Sequence, residues 1–269
     1  MRYDLRAMTK RARQTRRKSI TFRAVTIPST SASDLYAGAY APVIAAWTEA
    51  IDLILAAYER ALSAMTTDSP ADVGRVVEQR EGVAFRVALT IRARLEQWAM
   101  RLEALHRRKW RAAVLIATSI DIGTMIGAGD MRMPIAASIE RNVSLVKSVS
   151  EQARTRIGDA VFRGLTRRAP AAEVAKEIRD AVAMSRRRAM NIAADQMVKL
   201  ASALNEERRR EAGIATWEWM HSGKAHPREE HKARNGKRYS DDDPPADMPG
   251  ELPFCGCTSR AVLDMDGEF

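Results

Sequence analysis

The sequence predicts a mainly α protein, an elongated bundle of long helices followed by a small, loop-rich α+β module at the C-terminus. Two observations lead to this prediction. Apolar residues recur at three- and four-residue spacing through most of residues 34–212, which is the pattern of amphipathic helices. The pattern stops at Gly213, after which a short alternating run rich in β-formers and then Gly/Pro/Asp-rich loops follow.

The helical elements can be placed from their start and stop signals. Ser/Thr/Pro-rich residues 26–33 are typical of a linker, and Ser69-Pro70 is typical of a helix start. Helices are expected over residues 42–62, 135–163, 171–183 and 186–212, and a long helical periodicity runs over about residues 76–116. Gly164 is expected to end one of these helices, and Gly213 is expected to cap the last one.

Beyond the helices, the run of residues 214–220 predicts a strand, and shorter strands are expected near residues 237–239 and 260–263. The chain therefore divides into three consecutive parts. These are a basic arm and linker (1–33), a helical domain (34–212) and a C-terminal module (213–269).

The charge is uneven along the chain, which has 44 Lys+Arg against 34 Asp+Glu and a formal net charge of +10. Residues 1–23 hold nine bases and one acid, a composition that favours a polyanion such as double-stranded DNA, contacted without sequence preference. A solvated tail is the alternative. The candidate DNA-binding residues are Arg2, Arg6, Lys10, Arg11, Arg13, Arg16, Arg17 and Lys18.

Several classes of protein are disfavoured by composition. The most apolar stretch, residues 41–65, is interrupted by four charged residues, so no membrane span and no membrane partner are expected. The basic N-terminus has no apolar segment behind it, which argues against a secretory signal. With only two cysteines, a disulfide scaffold is excluded and folding in a reducing cytosol is expected.

Three of the four histidines and both cysteines fall between residues 221 and 257. So small a module has little apolar surface to bury, and a structural Zn²⁺ would supply stability that its core lacks. The predicted ligands are His231, Cys255 and Cys257, with His226 as the fourth and His221 as its alternative. Surface histidines with two free thiols are the other interpretation.

No enzyme is expected. The sequence lacks a phosphate-binding loop, a dinucleotide fingerprint and a nucleophile elbow. A metal-dependent nuclease that uses His231 and Asn235 is the alternative, together with a free cytosolic DNA-binding protein.

A series of motifs in the second half of the chain resembles one family. Arg188-Ala-Met-Asn-Ile-Ala-Ala-Asp-Gln196 is similar to the family's Arg-Ala-x-x-Ile-Ala-Arg-x-Glu signature. Arg228-x-x-His231, followed by Gly236-Lys237, then Pro244-Pro245, Pro249-Gly250 and Cys255-Gly256-Cys257, resembles the rest of its pattern. The family is the tailed-phage head-morphogenesis family, the minor head proteins typified by the F protein of phage Mu.

The resemblance covers roughly residues 140–265 and departs from the family in two places. Gly256 stands where the family commonly has Arg, and Gln196 stands where it has an acid, with Asp195 beside it. Neither departure touches a predicted metal ligand.

The resemblance implies a virion protein inside the head near the portal vertex, with portal or major capsid protein and packaged DNA as partners. It implies roles in head assembly and in genome packaging or delivery, and it does not imply catalysis.

Overall fold

The computed structural model describes residues 3–12, 17–64 and 69–266. Within them the chain is mainly helical with a small antiparallel sheet, as the sequence predicts. The helices are α1 (Leu5–Ala12), α2 (Thr30–Leu35), α3 (Ala41–Ala64), α4 (Ser69–Thr118), α5 (Arg132–Arg167), α6 (Ala171–Glu211) and α7 (Glu229–Ala233). The strands are β1 (Ser19–Thr21), β2 (Thr216–Met220), β3 (Arg238–Ser240) and β4 (Thr258–Asp264).

The chain folds into two compact units. One, which we name the helical unit, contains residues 32–98 and 139–193. The other, the sheet unit, contains the N-terminal residues up to Ser31, residues 99–138 and the chain from Ala194 onward. This division differs from the three consecutive parts that the sequence suggests. The reason is helix length, because the 50 residues of α4 extend over about 75 Å and one helix can enter two cores.

The core of the helical unit is built on α3. Trp47 and Tyr58 are fully buried, and Tyr58 Oη donates a 2.6 Å hydrogen bond to the Ala169 carbonyl. Among the described residues, Thr30–Ala64 is the stretch long and apolar enough to suit a membrane span, and 44% of its most apolar window is buried inside the protein. We interpret it as a core helix, because its largest side chains pack inside the unit.

Two predicted helix ends differ from the structure. α6 runs unbroken through residues 183–186, where two helices are expected from the sequence. Ser185 Oγ donates a hydrogen bond to the Ala181 carbonyl, and no Gly or Pro interrupts the helical hydrogen bonds there. Gly164 lies inside α5 and does not end it. A Cβ at Gly164 would lie 2.5 Å from Val174 Cγ2, so this glycine permits close packing.

The sheet unit contains the four described strands, in the antiparallel order β1-β4-β2-β3. Trp217 of β2 pairs with Ala261 of β4 on one side and with Tyr239 of β3 on the other. α6 ends at Glu211 and Gly213 follows with φ +67°, which confirms the predicted cap and turns the chain into β2.

The N-terminal segment is not the separate arm that the sequence suggests. β1 pairs with β4, with Ile20 opposite Leu263, and Leu5 and Phe22 are buried in the core of the sheet unit. α1 has an apolar face and a basic face, so it contributes side chains to the core while its Lys10 and Arg11 remain at the surface.

A buried polar network joins α4, α6 and β4 within the sheet unit. His106 Nε2 lies 2.9 Å from Asn205 Oδ1, and the Asn205 amide donates to Thr258 Oγ1 of β4. One turn farther along α6, the buried Arg208 pairs with Glu103 at 2.8 Å. Burial of these groups is tolerated because each has a partner, and the network sets the position of α6 against β4.

Candidate metal centre

His231 lies on α7, a short helix that follows the loop after β2. Its side chain is 2% exposed although the helix is at the surface. The indole of Trp219 packs edge-on against the imidazole, with ring centroids 5.0 Å apart. Because Trp219 is itself fully buried in β2, the sheet holds the histidine ring in place.

Cys255 and Cys257 lie in the loop that leads into β4, and both are buried. The loop turns sharply at Gly250 (φ +82°) and Phe254 (φ +59°). The left-handed conformation costs a residue such as Phe254 free energy, so the fold must hold it there. The result is that both thiols point towards His231.

The three predicted ligand atoms converge. His231 Nδ1 lies 3.4 Å from Cys255 Sγ and 3.7 Å from Cys257 Sγ, and all three atoms lie within 4.8 Å of one another. In a tetrahedral zinc site, Zn–S bonds of about 2.3 Å and Zn–N bonds of about 2.0 Å separate sulfur from nitrogen by about 3.5 Å. The three side chains therefore form a group that could hold a metal ion.

The electrostatics of the cysteine pair favour a thiolate. The hydrogen bond between the two thiols lowers the pKa of Cys255 to about 5, and the same bond raises the pKa of Cys257. Backbone N–H groups of Gly250 and Cys257 donate to the Cys255 sulfur, and that of Ser222 donates to the Cys257 sulfur. Such donors stabilise negative sulfur, the form that binds metal.

The other side of the imidazole faces a carboxylate. His231 Nε2 lies 2.9 Å from Asp247 Oδ2, at ion-pair distance although not aligned for a hydrogen bond. The second oxygen of Asp247 accepts a 2.6 Å hydrogen bond from Arg234. The sequence analysis did not identify Asp247 or Arg234, because nothing in a Pro-rich loop marks one aspartate as a partner of a histidine.

The two predicted alternatives for a fourth ligand do not join the cluster. His226 and His221 line an open pocket of about 300 Å³ whose wall includes His231 and both cysteines. Neither belongs to the group of ligand atoms that lie within 4.8 Å of one another. His221 Nδ1 accepts a hydrogen bond from the Gly223 N–H, whereas His226 lies in the exposed loop before α7.

Asp195 of helix α6 holds the cysteine loop through a hydrogen bond. Asp195 Oδ1 accepts a 2.6 Å hydrogen bond from the strained Phe254 N–H and a 2.9 Å bond from Lys199. Gln196, which replaces the family's acid, is buried and donates to Asp195 Oδ2. Asp195, the residue next to Gln196, thus holds the loop that carries both thiols.

Five of the eight predicted DNA-binding residues lie in the described part of the N-terminal segment, and none of them belongs to the metal cluster. Lys10 and Arg11 are exposed at the end of α1, and Arg17 and Lys18 are exposed before β1. Arg6 is half-buried. The remaining three, Arg2, Arg13 and Arg16, lie outside the described residues.

Comparison with known proteins identifies the region around this centre. A family model described as phage Mu protein F like protein matches residues 155–260. An uncharacterized protein of Haemophilus influenzae is 31% identical over 150 residues, which cover 55% of this chain and 34% of that protein. The chain thus spans about a third of the length of this relative. No solved structure shows a significant match.

The matched region begins in α5, contains all of α6 and extends into β4, so it includes His231, both cysteines and the helix that supports their loop. It also lies within the residues on which the resemblance in the sequence rests. Residues 155–260 of the chain therefore form a phage Mu protein F-like region, which confirms the family resemblance.

Proposed function

We propose that the protein is a minor head protein of a tailed phage or phage-like particle. In this proposal it is bound near the portal inside the head and acts, without catalysis, in head assembly and genome packaging or delivery. The observation that carries the proposal is the phage Mu protein F-like region at residues 155–260. The portal protein, the major capsid protein or both are the proposed partners.

The experiment is quantitative mass spectrometry of purified particles, followed by localised reconstruction of the portal vertex. The proposal expects the chain at low copy number, with density at the portal inside the head. Absence from the particles would contradict it and would favour a protein that acts free in the cytoplasm. Particles that lack the protein should assemble or package DNA poorly, which deletion of its gene measures.

The second part of the proposal is a structural zinc ion held by His231, Cys255 and Cys257. The proposed fourth ligand is His226, with His221 as its alternative, and either side chain would have to move from the pocket wall to reach the ion. Two sulfurs and one imidazole nitrogen at tetrahedral spacing support it. The bound ion would hold α7 against the loop before β4. A metal of this kind contributes directly to folding free energy, because the unfolded chain does not present a formed site.

The third part is contact with packaged DNA through the exposed bases of the N-terminal segment, independent of sequence. Deleting the segment would remove core residues such as Leu5, so the test neutralises charge and leaves the core intact. The test variant replaces four exposed bases with glutamine: Lys10, Arg11, Arg17 and Lys18. The control variant replaces four exposed bases of the helical unit with glutamine: Arg60, Arg86, Arg94 and Arg179.

Both variants lose the same charge, so a difference between them reports position. Binding to duplex DNA is measured at rising salt for the parent and the two variants. The proposal expects the N-terminal variant to bind more weakly and with a flatter salt slope, because fewer counterions are released. Equal effects of the two variants would show that net charge alone attracts DNA.

A further inference from the structure

The imidazole of His231 lies between two different sets of partners. Nδ1 faces the sulfurs of Cys255 and Cys257 at 3.4 and 3.7 Å, whereas Nε2 faces the carboxylate of Asp247 at 2.9 Å. Asp247 does not belong to the cluster of ligand atoms within 4.8 Å of one another. Asp247 lies on the Nε2 side of the ring, away from the two sulfurs, so we do not expect it to bind the metal.

The carboxylate is itself held in place. Arg234 donates a 2.6 Å hydrogen bond to Asp247 Oδ1, which leaves Oδ2 at 2.9 Å from His231 Nε2. Both atoms are buried and neither makes a hydrogen bond in this geometry, so a small rotation of either side chain would pair them. The Arg234 guanidinium also lies over the indole of Trp219, 5.1 Å from the ring centroid, and the edge of that same indole contacts His231. Asp247 and Arg234 are each about 14% exposed or less, so solvent screens their pairing only weakly.

We infer that Asp247, held by Arg234, is a positioning residue that keeps the proton of His231 on Nε2 and presents the Nδ1 lone pair to the metal. The inference rests on the proposed zinc site. A ligating histidine commonly directs its second nitrogen to a carboxylate, which fixes the tautomer and ring orientation and makes the ligand more basic. In this protein the acceptor lies on one side of the ring and the two sulfurs lie on the other.

The alternative geometry would need a large rearrangement. Coordination through Nε2 would require the ring to turn its opposite edge towards the sulfurs, and Asp247 would then face a carbon or the other nitrogen. The edge contact with Trp219 restricts that rotation. The arrangement around the ring therefore favours coordination through Nδ1.

The first test measures metal affinity in the full chain. Zinc and cobalt affinities are determined by competition with a chelator for the parent, for Asp247→Asn and for the control Asp242→Asn, an exposed aspartate of the same module. The inference expects Asp247→Asn to bind about 10- to 100-fold more weakly, and the control to bind like the parent. Asp247→Glu should recover part of the affinity because it restores the carboxylate.

The second test identifies the nitrogen, which a merely structural defect would not change. Long-range ¹H–¹⁵N NMR of the histidine rings should show zinc on Nδ1 and a proton on Nε2 of His231 in the parent. Without metal, Asp247→Asn should hold less of the Nε2–H tautomer than the parent, because only the sulfurs on the Nδ1 side then accept a hydrogen bond from the ring.

The outcomes separate the inference from the zinc proposal. If the parent binds neither zinc nor cobalt, the zinc proposal fails, and the tautomer of the metal-free protein still tests the role of Asp247. If the parent binds metal through Nε2, or if Asp247→Asn binds metal as tightly as the parent while it folds normally, the inference is overturned.

Discussion

The buried histidine that joins α4 to α6 predicts a specific loss of stability in acid. Burial lowers the pKa of His106 to about 4 from an ordinary value of 6.5, and its contact with Asn205 opposes that shift only in part. In the folded state His106 is neutral at pH values where the unfolded chain binds a proton. Its contribution to stability is therefore complete above the unfolded pKa and is lost as pH falls from about 6.5 towards 4.

The magnitude follows from the shift. Between pH 7 and pH 4.5 the single-site linkage relation gives a loss of roughly 2 kcal/mol from this one group. Chemical denaturation of the parent and of His106→Gln at both pH values measures it, because other titrating groups and any bound metal affect both proteins alike. The parent should lose roughly 2 kcal/mol more than the variant between the two pH values. Equal losses would refute the placement of His106 as a buried neutral group.

Three further predictions concern the loop, the core and the fourth ligand. Gly250→Ala should weaken metal binding and lower stability by about 1–3 kcal/mol, measured by denaturation, because φ is +82° and a Cβ would lie 2.5 Å from Ser202 Oγ. Tyr58→Phe should cost about 1–3 kcal/mol in the same assay, since the Ala169 carbonyl loses its buried donor. His226→Ala should change the visible spectrum of the cobalt-loaded protein, whereas an unchanged spectrum would remove His226 from the ligand set.

Local signals predicted most of the secondary structure but not the tertiary pairing. Gly213 marks the end of α6 because a left-handed residue after a helix favours glycine, and the alternation that follows marks β2. β1 was not predicted, because three residues form a strand only when a distant partner is present. Its partner β4 lies more than 200 residues away in the sequence, so no local sequence pattern indicates that the two strands pair.

The candidate site was predicted in part for similar reasons. His231, Cys255 and Cys257 are residue types that bind metals, so their crowding in one module carries a signal. Aspartate and arginine are common at surfaces, and the roles of Asp247 and Arg234 depend on loop geometry that no spacing rule encodes.

Zinc analysis of the purified full chain tests the central claim most directly. The account predicts about one zinc per chain, removed by Cys255→Ser, and cobalt substitution should give an intense thiolate-to-metal absorption band that the same variant loses. A chain that is purified without chelators, holds no zinc and shows no thiolate band with cobalt would contradict it.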